Sequence, residues 1–228
     1  MLQREVDSEL IATPRLFCDQ LISVLTSKLL ASLERISTGM NVLVGILNFF
    51  SPRLNTDLSD DAVQEFHKLT NFKPKEIARI RRVFRELTEG SETLSKETFL
   101  QINCIAISPL SDRISLVFGY EKGVDSLDFK GFLCGLAQFN SPGMREQKMR
   151  VAYRIQDFDG DGQISKGDLT TYMERITANS LSASEIEEVV AEVFRETASD
   201  SEQNFISFSD FQRVVAQLDF QAKLQLSI

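Results

Sequence analysis

The sequence predicts an all-α protein of four helix-loop-helix units in two lobes, with a helical extension at the N-terminus. Three observations lead there. The stretch DFDGDGQISKGD at 157–168 sets carboxylates on alternate residues. Four short segments of one pattern follow one another along the chain, and apolar residues at helical spacing flank each of them.

The twelve-residue stretch fixes the chemistry. Asp157, Asp159 and Asp161 fall at positions 1, 3 and 5, and Gly162 at position 6 permits a sharp turn. A hard divalent cation takes six to eight oxygens, and alternate residues of a tightly wound loop converge on one point. Gln163 at position 7 would offer its backbone carbonyl, Ser165 at position 9 would act through water, and Asp168 at position 12 would be the last side-chain ligand. Ile164 at position 8 faces away from the metal. This spacing resembles an EF-hand loop, although such loops usually close on Glu. Asp is one methylene shorter and more readily gives one oxygen than two, which suits Mg2+ better than Ca2+. Either ion is the expected cofactor, and a loop filled with Mg2+ at rest would hold its helices in place instead of switching them.

A lone helix-loop-helix cannot bury its apolar face, so partner units are expected. Aligning on the apolar residue at position 8 gives LSKETF at 94–99, LDFKGF at 127–132, ISKGDL at 164–169 and ISFSDF at 206–211. The first loop (87–98) has Leu87 and Thr98 at its ends and is expected to be empty. The second (120–131) begins on Tyr120, ends on Gly131, reads as carrying one inserted residue, and is expected to be empty as well. In the fourth (199–210), Ser199, Ser201 and Gln203 stand at positions 1, 3 and 5. There Asp200, Glu202 and Asp210 form a weaker second candidate set that works only if the loop accommodates an extra residue.

The flanks read as amphipathic helices. Met149, Ala152, Tyr153 and Ile155 share a face before the third loop, and Leu169, Tyr172, Met173 and Ile176 share one after it. Ser182 or Ser184 begins a helix that runs to about residue 196. The clearest break, NSPGM at 140–144, divides a lobe at 58–140 from one at 141–228, behind an extension at 1–57. Within that extension Phe17, Leu21, Leu25, Leu29, Leu33 and Ile36 mark an amphipathic helix. Plain packing against the lobes, occupation of a target groove and a misassigned start all fit it.

Composition excludes other classes. The 228 residues are 43% hydrophobic and 25% charged, enough for a sizeable core. A net charge of −8 argues against nucleic acid as partner. Cys18, Cys104 and Cys134 suit neither a disulfide framework nor a zinc cluster, so a reducing, cytoplasmic setting is expected, with any membrane association arriving through a partner. No run reaches the roughly 18 apolar residues of a membrane-spanning helix. The single histidine, His67, has no nucleophile in a motif around it, so no enzyme is expected.

Beyond the loops, LSDDAVQEFHKLTNFKPKEIARIRRVFREL from Leu58, DSLDFKGFL, AYRIQDFDGDG, LSASEIEEVV and FSDFQRVVAQLDFQAKLQL resemble the calcium- and integrin-binding proteins, close relatives of the calcineurin regulatory subunit. The likeness covers about residues 58–228. Two dead N-terminal hands and a third loop ending in Asp favour the integrin-binding branch. The resemblance implies a regulatory or adaptor protein whose hydrophobic groove, lined by Phe, Leu and Met, takes an amphipathic helix of a protein partner. Such a helix could come from an integrin tail, a channel or transporter, a kinase or a phosphatase catalytic chain. A calcineurin B-like phosphatase subunit and a partnerless metal buffer are the alternatives. Members commonly begin Met-Gly and are N-myristoylated; Met1-Leu2 does not encode that signal. In the family the segment equivalent to 218–228, with Leu218, Phe220, Leu224 and Leu226, lies over the groove and moves aside for a target.

Overall fold

The structure, a computed structural model, describes residues 57–140, 145–178, 180–197 and 204–217. The amphipathic helix of the extension, the C-terminal segment 218–228, Asp200 and Glu202 lie outside the described residues. What is described is predominantly helical, as expected, with two short two-stranded sheets.

The chain opens with α1 (Asp60–Thr70), where the Ser59 hydroxyl accepts the Ala62 N–H at 3.3 Å. Asn71 ends it in the left-handed region, and His67 donates from Nδ1 to the Phe72 carbonyl at 2.7 Å. The lone histidine is therefore an exposed helix-end residue. Proline begins α2 (Pro74–Leu87), where its missing N–H costs nothing. Then come β1 (Thr93–Ser95), the short helices α3 (Lys96–Leu100) and α4 (Asn103–Ala106), α5 (Ser111–Phe118), β2 (Ser126–Asp128) and α6 (Phe129–Asn140). The remainder comprises α7 (Arg145–Gln156), β3 (Ile164–Ser165), α8 (Lys166–Thr177), α9 (Ala183–Thr197), β4 (Phe205–Ile206) and α10 (Phe208–Gln217). Ser182 is the residue that starts α9: its hydroxyl accepts the Glu185 N–H, and the Glu185 carboxylate accepts the Ser182 N–H at 2.7 Å.

Strand register follows the repeat. β1 pairs antiparallel with β2, with Leu94 opposite Leu127, and β3 pairs with β4, with Ile164 opposite Ile206. These four residues head the four aligned segments, and all are buried. Period-two alternation then turns the flanking polar residues outward, so a slip of one residue would bury Ser95 and Asp128 instead.

The helices leave each strand in the same way. Ser95, Asp128, Ser165 and Ser207, all at position 9 of their loops, accept the N–H of Thr98, Gly131, Asp168 and Asp210 at 3.1, 2.8, 3.1 and 3.2 Å. Each satisfies one of the orphan donors of a helix N-terminus.

Apolar side chains from both sheets and their helices form one contiguous core. In its first half Phe118 meets Phe99 at 4.7 Å and Phe139 at 5.6 Å, and Phe84 meets Phe132 at 5.5 Å. Gly135 on α6 admits the Phe118 ring, for a Cβ there would sit 2.3 Å from it. In the second half Tyr153 lies edge-on to Phe208 and Phe211 and donates to the Ile206 carbonyl at 2.7 Å. None of the described phenylalanines is exposed.

Buried polar groups brace the first half. Arg81 forms three contacts with the Asp57 carboxylate, the shortest 2.7 Å, reaches Glu92 at 3.4 Å and stacks over Phe129. Tyr120 donates to the Leu94 carbonyl at 3.0 Å, so the first residue of the second loop holds the first loop's strand. No helix among the described residues is long and apolar enough to cross a membrane.

Candidate metal centre

The candidate centre lies between α7 and α8. Carboxylate oxygens of Asp157, Asp159 and Asp161 come within 4.8 Å of one another. The backbone produces this convergence. Asp157 accepts the Gly160 N–H on one oxygen and the Gly162 N–H on the other, at 2.8 and 3.0 Å. Asp159 takes the Asp161 N–H at 3.1 Å, and Asp161 takes the Gln163 N–H at 2.8 Å. Gly160 and Gly162 have φ of 77° and 86°, a region that L side chains rarely adopt, so the winding depends on glycine at both.

Electrostatics favour a cation there. Asp157 is buried while Asp159 and Asp161 are exposed. Burial, with the neighbouring charges of Asp161 and Asp159, pushes the Asp157 carboxyl above its usual range, against the lowering effect of the two glycine N–H groups. Three anions this close repel one another, and a divalent ion would neutralise them and tie the two helices to one point. The donor set is all oxygen, which suits Ca2+ or Mg2+ and not a thiolate-seeking metal. The residues present therefore fit such an ion.

Asp168 stands apart from that group. Its carboxylate accepts the Phe158 N–H at 2.9 Å on one oxygen and the Ser165 N–H at 2.9 Å, with the Ser165 hydroxyl, on the other. Ser165 and Asp168 thus form a reciprocal cap at the start of α8. Asp168 is buried and oriented by these bonds, so position 12 serves the helix as well as any ion. Gln163 at position 7 supplies its N–H to Asp161, and its side chain is half-buried. The Ser-x-x-Asp spacing of 165–168 carried the signal of this cap, which a reading for ligands alone passed over.

In the fourth loop the described residues present Asp210, which is buried. It accepts the Ser207 N–H at 3.2 Å and the Ser207 hydroxyl, and Arg213 approaches at 3.2 Å. Arg213 also donates to the Thr197 carbonyl at 2.6 Å. A guanidinium therefore links the end of the helix entering this loop to its position-12 carboxylate. In the first loop Arg81 reaches Glu92, and Tyr120, from the second loop, holds the Leu94 carbonyl.

One residue far from the loop reaches it. Arg113 of α5 donates to the carbonyls of Arg154, Ile155 and Phe158 at 3.0, 3.2 and 3.3 Å, and to that of Asp157. Nothing in the local sequence pattern signals this contact.

A search against models of protein families finds no match. Two curated relatives are similar over most of their length. The chain is 33% identical over 174 residues to a calcineurin B of Naegleria gruberi, covering 76% of this chain and 97% of that protein. It is 31% identical over 160 residues to a calcineurin B of Yarrowia lipolytica, covering 70% of this chain and 91% of that one. With this identity, the paired loops and the converging carboxylates together, the chain belongs to the calcineurin B family of the EF-hand superfamily.

Proposed function

We propose that the protein is a calcium-binding regulatory protein that holds one divalent ion in the loop 157–168 and binds an amphipathic helix of a partner protein. The observation that carries the reading is the convergence of Asp157, Asp159 and Asp161 on one point, in a loop wound by two glycines. Asp168 and the Gln163 carbonyl complete the ligand set as the ion draws the loop together. The four capped strand-to-helix transitions support four hands in two lobes, 58–140 and 141–228, of which the third holds metal. Arg213 bridges the fourth loop, Arg81 and Tyr120 reach into the first, and Asp200, Glu202 and Asp210 act as a weak site at most.

The relatives support the choice of partner. Both carry the name calcineurin B, so the phosphatase catalytic chain is favoured over an integrin tail, a channel or a kinase as the source of the helix. Most of the described phenylalanines are buried and none is exposed, so the reading has helices part to open the groove on docking. Calorimetric titration with Ca2+ and with Mg2+ of the wild type and of Asp157→Ala tests the site: one strong ion is expected in the former and none in the latter. Co-purification with a calcineurin catalytic chain, at one to one, tests the partner. Retention of the strong site by Asp157→Ala would refute the loop assignment.

A further inference from the structure

We infer that Arg113 is a positioning residue for the metal loop, and that through it ion binding at 157–168 is coupled to helix α5. The inference rests on the metal reading proposed above. Its basis is the set of four carbonyls that one buried guanidinium collects. Arg154 and Ile155 lie in the last turn of α7, where carbonyls have no partner within the helix. Asp157 and Phe158 are the first two residues of the loop. A cation at a helix C-terminus is favourable, and the planar fork of Arg satisfies several acceptors at once where Lys, a point charge, cannot.

The grip extends to the other flank of the loop. Two guanidinium groups, those of Arg113 and Arg175, contact the Phe158 ring, each 4.9 Å from its centre. Arg175 belongs to α8 and pairs with Asp112 at 2.7 Å. Two adjacent residues of α5 thus contact both helices that flank the loop. The Asp112–Arg175 pair is exposed and adds little by itself. Arg113, buried, fixes the backbone from which the Asp157 carboxylate departs.

Two effects of opposite sign compete at this position. The charge of Arg113 repels an incoming cation, so its removal alone would tighten binding. Its hydrogen bonds preform the loop, so its removal leaves the ion to order positions 1 and 2, and apparent affinity falls with the fraction of loop that is competent. With four carbonyls held, preformation dominates. Linkage then requires that the ion stabilise the contact of α5 with α7 as much as that contact favours the ion.

The test uses the full chain with Arg113→Met and Arg113→Lys. Ca2+ affinity, measured by competition with a fluorescent chelator, is expected to fall by about tenfold or more in Arg113→Met, with only partial recovery in Arg113→Lys. Amide hydrogen exchange in the wild type is expected to slow on adding Ca2+ in 111–118 as well as in 157–168. In Arg113→Met the ion should slow the loop alone. Affinity of Arg113→Met within twofold of wild type, or tighter, overturns the inference, as does full recovery in Arg113→Lys. Should Arg113→Met not fold, unchanged exchange of 111–118 in the wild type overturns it by itself. If the wild type takes no ion, or Asp157→Ala takes it equally well, the metal reading fails first.

Discussion

Asp168 accepts the backbone N–H of Phe158 at 2.9 Å, so the last residue of the candidate metal loop is tied to the second. Its other oxygen is held by Ser165, which caps α8. A carboxylate committed in this way is short for its second task, reaching the ion. One more methylene would let the side chain keep the cap and extend toward the cluster of Asp157, Asp159 and Asp161. Asp168→Glu is therefore expected to raise Ca2+ affinity by about tenfold, through an added oxygen ligand, while Mg2+ affinity changes less. Calorimetric competition between the two ions measures the ratio. An unchanged ratio would mean that the length of this side chain does not set the choice of ion.

A second prediction concerns pH. The chain has three tyrosines, and each is buried. Burial pushes the Tyr120 and Tyr172 hydroxyls well above the ordinary range. Burial first, then the charge of Asp157, pushes Tyr153 up to about 12. A hydroxyl whose folded pKa is raised contributes stability that is complete below its unfolded value, about 10, and lost as pH rises through the folded value. Absorbance at alkaline pH is thus expected to show no tyrosinate near pH 10 while circular dichroism stays native, and then a single rise that coincides with unfolding. Ionisation of even one tyrosine near pH 10 in the folded protein would contradict the buried placement.

How far the sequence carried these features depends on their range. Strand register was legible because Leu94, Leu127, Ile164 and Ile206 each sit at the same step of a repeat, and burial enforces that step. The cluster of Asp157, Asp159 and Asp161 was legible because all three lie within five residues, so loop winding alone brings them together. Arg113 was not, since it meets residues more than 40 positions away and its own helix gives no hint of the target. Tyr120 read as a lost ligand in a loop with an insertion, whereas its hydroxyl supports β1. Local spacing specifies local chemistry, and long-range contacts such as those of Arg113 and Tyr120 depend on packing that spacing does not encode.

The fourth hand supplies the last prediction. Arg213 joins the Thr197 carbonyl, at the end of α9, to the Asp210 carboxylate at the start of α10. A bound ion would tie together the same two ends of a working hand. The equivalent place in the third hand, three residues beyond Asp168, holds Thr171, whose hydroxyl donates to the Gly167 carbonyl within its own helix. An internal guanidinium thus does in one hand what a divalent ion is proposed to do in the other. Arg213→Met removes that bridge while keeping most of the apolar stem. Arg213 is half exposed and Asp210 keeps its Ser207 partners, so screening limits the loss, expected to be about 1 kcal/mol. Because no ion takes part, the loss should be the same in urea melts run with excess Ca2+ and with a chelator. A loss that disappears in Ca2+ would show that the fourth loop binds the ion after all, and that Arg213 competes with it for Asp210.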